Sequence, residues 1–134
     1  MKPLFLNPPT FEDFDGGAGA RYQASREVTS FWYPTWLCYP AGMIEGARVL
    51  DAPVQRLDLA GCLAIAGDYD MVVMYTSTPT LHLDIETARR VKEQKPETIT
   101  VLVGPHAIES AAAFVHHRTA TVAAFLNGAR VNEG

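Results

Sequence analysis

The stretch DYDMVVMYTSTPT, residues 68–80, decides how this chain is read. Met71, Val72, Val73, Met74 and Tyr75 form a continuous apolar run. Thr76, Ser77, Thr78, Pro79 and Thr80 follow it with hydroxyls and a proline. A short apolar run bounded by turn-forming residues reads as a strand covered on both faces, as in a parallel sheet. The hydroxyls then fall at its carboxyl end, where they either cap the next helix or hold a ligand.

Working outward, the same alternation repeats. In TLHLDIETARRVKEQKP, residues 80–96, Leu81, Ile85, Ala88 and Val91 share one helical face. Glu86 and Arg90 are spaced for an i,i+4 ion pair, and Pro96 closes the helix. Residues 98–104, TITVLVG, form the next strand. Upstream, LDLAGCLAIAG (residues 57–67) reads as a helix with Asp58 as N-cap, a stripe of Leu59, Cys62, Leu63 and Ala66, and Gly67 at its end. Residues 47–52, ARVLDA, form a short strand. Residues 31–44 read as a helix with Pro34 in its first turn, Pro40 bending it, and Trp36, Leu37, Ala41 and Ile44 near one face. Residues 3–6, PLFL, form the first strand, stopped by Asn7-Pro8-Pro9.

The long polar stretch from Thr10 to Ser30 has no period and reads as loop. After His106 the chain is rich in alanine. Residues 107–117 read as helix, and residues 121–125 stay open between helix and a late strand. Strand and helix in strict alternation predict an α/β fold: a flavodoxin-like, Rossmann-like open parallel sheet of four to five strands with helices on both faces. Right-handed crossovers with a reversal after the second strand give the order 2-1-3-4, with an optional fifth. The domain is expected over residues 1–106, with 107–134 as a divergent tail that completes or replaces the last unit.

Composition narrows the function. Of 134 residues 48% are hydrophobic and 19% charged, which is globular, and the net charge of −4 without a basic block leaves no nucleic-acid footprint. No apolar segment approaches the ~20 residues of a membrane helix. The start MKPLFLNPPT is too short for a signal peptide, so a soluble cytoplasmic protein is expected. Cys38 and Cys62 lack the spacing of a zinc, redox or iron–sulfur motif and are expected as buried small hydrophobes.

In an open parallel sheet, ligands bind beyond the carboxyl ends of the strands. That edge collects Asn7, Pro8, Pro9 and Thr10 from the first strand, and Asp51, Ala52 and Pro53 from the second. It also collects Thr76, Ser77, Thr78 and Pro79 from the third, and Gly104, Pro105 and His106 from the fourth. Prolines make such a rim stiff, and hydroxyls supply donors. Each piece also has a plain structural use. Pro8-Pro9 stops a strand, Thr78 or Thr80 caps a helix, Gly104 permits a turn, and His106 packs or is solvated. GGAGAR, residues 16–21, fails the G-x-G-x-x-G spacing and reads as loop. Phe31, Trp32, Tyr33 and Trp36 read as core, with contact to an apolar substrate or partner as the alternative, and His116-His117 as surface helix. No catalytic constellation stands out, so the residues alone lead to a nucleotide-like cofactor site without chemistry of its own.

Taken in order, LFLNPP, YDMVVMYTSTPT and VLVGPH resemble the N-terminal cobalamin-binding domain of cobalamin-dependent radical SAM enzymes. The stretch FEDFDGGAGARYQASREVTSFWYPTWLCYPAGMIEGARVLDAP is similar to the radical SAM family associated with hopanoid biosynthesis, which acts on the sugar-bearing hopanoid side chain. The resemblance covers roughly residues 1–106. It implies a corrinoid over the carboxyl edge. Asn7, Pro8 and Pro9 would border the corrin; Thr76, Ser77, Thr78 and Pro79 would meet its amides or nucleotide tail; Gly104, Pro105 and His106 would line the slot for the tail. It also implies a lipid-like hopanoid substrate for the full enzyme.

Three departures matter. The D-x-H-x-x-G motif that supplies a histidine to cobalt is absent, since neither His82 nor His106 has that context, so no metal ligand is assigned. The C-x-x-x-C-x-x-C cluster motif is also absent, so S-adenosylmethionine and a 4Fe-4S cluster belong to a missing downstream domain and this chain alone is not catalytic. The alanine-rich tail departs from the family and is what a shifted reading frame in GC-rich DNA gives. A nucleotide-binding domain and a degenerate interaction domain stay open as alternatives.

Overall fold

The computed structural model describes residues 1–9, 34–76 and 80–104. Four strands, β1 (Pro3–Asn7), β2 (Arg48–Asp51), β3 (Met71–Tyr75) and β4 (Ile99–Val103), form one sheet. Every pairing is parallel and the order is β2-β1-β3-β4, as the sequence predicts. The register sets Asn7 beside Asp51, Leu6 beside Met74, and Tyr75 beside Val103.

The faces of the sheet follow from strand alternation. Leu4, Leu6, Leu50, Val72, Met74 and Leu102 point to one face. There they meet Cys62 and Ala66 of α3 (Leu59–Ala66), and Ala88 and Val91 of α4 (Leu81–Gln94). Phe5, Val73 and Val101 point to the other face and meet Leu37 and Ala41 of α1 (Thr35–Gly42). Right-handed crossovers account for this split, because the chain reverses direction across the sheet after β2. Each fully buried leucine contributes about 2 kcal/mol by leaving water, and such leucines lie on β1, β2, β4 and α1.

Several local expectations hold. Asp58 caps α3 by accepting from the Gly61 N–H at 2.8 Å. Leu81 and Ile85 pack onto the core that Ala88 and Val91 enter. At the amino edge the Lys2 N–H donates to Asp70 Oδ2 at 2.8 Å, and Lys95 Nζ lies 3.8 Å from Asp70 Oδ1. The Lys2 bond, chiefly, and these positive charges hold the Asp70 carboxyl below its ordinary range.

Other expectations need correction. Residues 52–55 form a short helix, α2 (Ala52–Gln55), where the sequence suggests only a strand end. Glu86 pairs with Arg89 at 2.6 Å rather than with Arg90, and Arg89 also bonds Glu93. Helix α1 has Pro34 at its N-cap, and of Trp36, Leu37, Ala41 and Ile44, expected near one face, only Leu37 and Ala41 are buried. Trp36 is 71% exposed and Ile44 is 45% exposed. Trp36, Tyr39 and Met43 instead line the outer side of the helix. Thr80 occupies the N-cap position of α4 without a side-chain cap bond. Residues 10–33, 77–79 and 105–134 lie outside the described residues. The same holds for what falls on them: the loop, the GGAGAR stretch, Phe31, Trp32 and Tyr33, His116-His117, the tail and the optional fifth strand.

The cysteines divide. Both are free thiols, Cys62 buried as expected and Cys38 exposed against expectation. Burial, with Asp58 nearby adding to it, pushes the Cys62 thiol up to about 11. Near neutral pH the native protein is therefore expected to show one thiol reactive toward Ellman's reagent, Cys38. A second should appear only on unfolding. Two fast thiols in the native state, or loss of the fast one on Cys62→Ala but not on Cys38→Ala, contradict this placement.

Candidate functional site

The carboxyl ends of β2, β1, β3 and β4 form one rim, and the order places Asn7, Thr76 and Gly104 at the ends of three adjacent strands. The point between β1 and β3 is where the strand order reverses, the position at which open α/β sheets bind ligands.

Asn7 is 1% exposed, and its Nδ2 donates to Asp51 Oδ1 at 2.8 Å. Alternation explains the pair: Asn7 shares a face with Phe5, and Asp51 with Val49, on the side covered by α1. Asp51 is half-buried and stands at the N-cap of α2, yet its side chain does not cap that helix. Tyr75 and Val103 continue the row on the same face. Pro8 and Pro9, which follow Asn7, are both buried.

Thr76 follows β3 and keeps the ladder going, its N–H donating to Val103 O at 2.7 Å. Alternation turns its side chain to the opposite face from Asn7, the side of α3 and α4. It is fully buried, and Oγ1 has no hydrogen-bond partner among the described residues. A stranded buried hydroxyl costs about 1–3 kcal/mol unless something meets it. Thr98 Oγ1 is stranded likewise at the amino end of β4, so the feature is not confined to the rim. Near Thr98 lies a shallow surface dip with no enclosed space, lined by Leu63, Ala66, Val91 and Gln94 of α3 and α4 with Gly67, Lys95 and Thr98, at the edge opposite the candidate site.

Gly104 has φ +135°, and a Cβ there would lie 2.3 Å from the Thr76 carbonyl oxygen. Its lack of a side chain serves the close approach of the ends of β3 and β4. Next along the rim, Thr80 Oγ1 donates to Asp84 Oδ2 at 2.8 Å, and both residues are buried. The sequence does not announce this Thr80–Asp84 pair, because Thr80 reads there as a cap.

Of the ten candidate residues, Asn7, Pro8, Pro9, Thr76 and Gly104 are described. Ser77, Thr78, Pro79, Pro105 and His106 lie outside the described residues. Asn7 and Thr76 do not line one face together; they flank the rim from opposite sides. Among the described residues, no group of three or more His, Cys, Asp or Glu side chains converges as a metal site, and no helix is long and apolar enough to cross a membrane. Compared with family models, with curated proteins and with solved structures, the chain matches none.

Proposed function

We propose that this chain is a corrinoid-binding module, the cobalamin domain of a cytoplasmic radical SAM enzyme of the kind acting on hopanoid-type lipids. The observation that carries the reading is the placement of its motifs. The motifs LFLNPP, YTSTPT and VLVGPH each begin in a strand, and their described residues Asn7, Thr76 and Gly104 stand at the carboxyl ends of β1, β3 and β4. The chemistry of the rim agrees. Backbone N–H groups and hydroxyls complement the amides and phosphate of a corrinoid, and the stranded Thr76 Oγ1 at that edge fits a ligand group or an ordered water.

Bound cobalamin supplies the cobalt-centred chemistry, while the protein binds and orients it. Asn7 stiffens the end of β1 through Asp51, the prolines hold the rim, and Gly104 keeps the ends of β3 and β4 close. S-adenosylmethionine and the iron–sulfur cluster belong to a further domain in this reading, and so does the substrate.

Mixing the purified full chain with hydroxocobalamin and separating by gel filtration tests the proposal. A corrinoid spectrum that travels with the protein supports it, and Ser77→Ala is expected to weaken retention. Clean separation overturns it and leaves a domain that keeps the fold without the ligand.

A further inference from the structure

Helix α1 carries two apolar stripes where a surface helix needs one. Leu37 and Ala41 form the first and are buried with Phe5, Val73 and Val101 of the sheet. Trp36, Tyr39 and Met43, the last at the C-cap, form the second and are 71%, 73% and 86% exposed. At about 100° per residue these three fall within about 60° of one another around the helix axis, and about 150° from the buried pair. The helix, TWLCYPAG, contains no charged side chain, so no charge on it opposes covering the second stripe.

The exposed apolar area is concentrated there. Of the six large apolar side chains left exposed among the described residues, four lie between Trp36 and Ile44. With about 150–250 Å² to an aromatic side chain, Trp36 and Tyr39 leave about 300 Å² uncovered at these exposures. Met43 brings the stripe to roughly 450 Å², close to the apolar share of an interface that buries about 800 Å² a side. The spacing is also symmetric. Trp36 and Met43 stand two turns apart, about 10.5 Å, with Tyr39 near the midpoint. Laid antiparallel on a second copy about a two-fold axis at Tyr39, the stripe sets Tyr39 of one copy on Tyr39 of the other. It also sets Trp36 on Met43 twice. These are one aromatic pair and two sulfur–aromatic contacts, each favourable beyond the area buried. A lipid surface fits less well. A helix that lies on a bilayer carries Lys and Arg beside its apolar side, whereas residues 35–47 hold one charge, the carboxylate of Glu45, in a chain of net charge −4.

We infer that the outer side of α1 is a homodimer interface, in which Trp36, Tyr39 and Met43 meet the same stripe of a second copy, antiparallel across a two-fold axis. The inference is independent of the corrinoid reading. Helix α1 packs on the flat of the sheet, over β1, β2 and β3. The stripe points away from the sheet, so the rim at the carboxyl ends of the strands stays open in both copies.

Analytical ultracentrifugation of the full chain tests it. The wild type is expected to approach twice the 14.7 kDa of one chain as concentration rises. Trp36→Ala should raise the dissociation constant about thirtyfold, as loss of an aromatic anchor does. Tyr39→Glu brings two carboxylates together at the axis and should leave monomer. Tyr39→Lys should do the same with two ammonium groups. Mixed in equal amounts, these two variants should recover a dimer containing one of each, which a seam pairing Tyr39 with itself requires. Ala60→Glu, at an exposed site on α3 across the sheet, should leave association unchanged. The replaced side chains are exposed, so each variant should keep the far-UV circular dichroism of the wild type, and Met43→Glu stands in for one that does not fold. A wild type still monomeric at about 1 mM overturns the inference; if that monomer binds phosphatidylcholine vesicles, the stripe belongs to a lipid surface instead. A dimer that survives both Tyr39→Glu and Met43→Glu overturns it as well, because its interface then lies elsewhere. A mixture of the two Tyr39 variants that stays monomeric overturns the two-fold arrangement.

Discussion

Gly104→Ala is expected to cost about 3 kcal/mol of folding stability, read as a lowered urea midpoint with little change in slope. Two effects combine. The backbone at Gly104 has φ +135°, a region that residues with a Cβ rarely enter. The added Cβ would also lie 2.3 Å from the carbonyl oxygen of Thr76 and 3.3 Å from Tyr75 Cε2. The first of these neighbours is backbone and cannot swing aside. Thr76 is tied in turn by its N–H to Val103 O at 2.7 Å, so relief requires parting β3 from β4 at the rim. A small domain is stable by only about 5–15 kcal/mol, so this loss is a large share. Gly42→Ala is the control. A Cβ there meets nothing within 4 Å, and the residue ends α1. That substitution should change stability by no more than about 1 kcal/mol. If the two variants unfold alike, the close approach at Gly104 is not real.

The parts of the fold legible in the sequence are those in which one physical signal acts alone. Met71–Tyr75 is apolar throughout and bounded on both sides, so its strand emerges with its ends correct. Asp58 before an apolar stripe marks a helix start because its side chain is placed to accept from Gly61. The order β2-β1-β3-β4 follows once the elements alternate and the crossovers are right-handed.

Legibility fails where two signals compete. Helix α1 is apolar on nearly every side, so periodicity cannot choose which side faces the sheet, and Trp36 goes outward while Leu37 goes in. Glu86 can reach Arg89 or Arg90, and side-chain rotamers rather than spacing decide. At the candidate site, strand ends are readable but register is not. Pairing Asn7 with Asp51 needs the alignment of β1 on β2, which no local pattern encodes. Alternation, by contrast, suffices to separate Asn7 from Thr76. Asn7 has the parity of Phe5 and Thr76 that of Met74, and these face opposite sides of the sheet.

The Thr80–Asp84 pair should behave as a unit, and the second large effect is expected there. Asp84 is fully buried in the first turn of α4, and Thr80 is 2% exposed. The Thr80 hydroxyl donates to Asp84 Oδ2 at 2.8 Å and makes no cap bond to the helix backbone. Thr80→Val keeps the shape and removes the donor, leaving a buried carboxyl group one hydrogen bond short. A loss of about 2–3 kcal/mol is expected, more than an exposed cap would cost, because low surrounding dielectric strengthens the bond and raises the penalty for its absence. Asp84→Ala removes the acceptor and the favourable placement of a negative group at a helix start, and should cost at least as much. The double variant strands neither group on account of the other, so its loss should fall short of the sum by about 1–3 kcal/mol. Urea unfolding of the four proteins measures that coupling. Strictly additive losses would mean that the two side chains stabilise α4 separately, and the hydroxyl of Thr80 would return to being a weak cap. A positive coupling makes the pair a buried polar anchor directly beside residues 77–79. The rim would then be held from both ends, by Asn7 with Asp51 on β1 and β2 and by Thr80 with Asp84 at the head of α4.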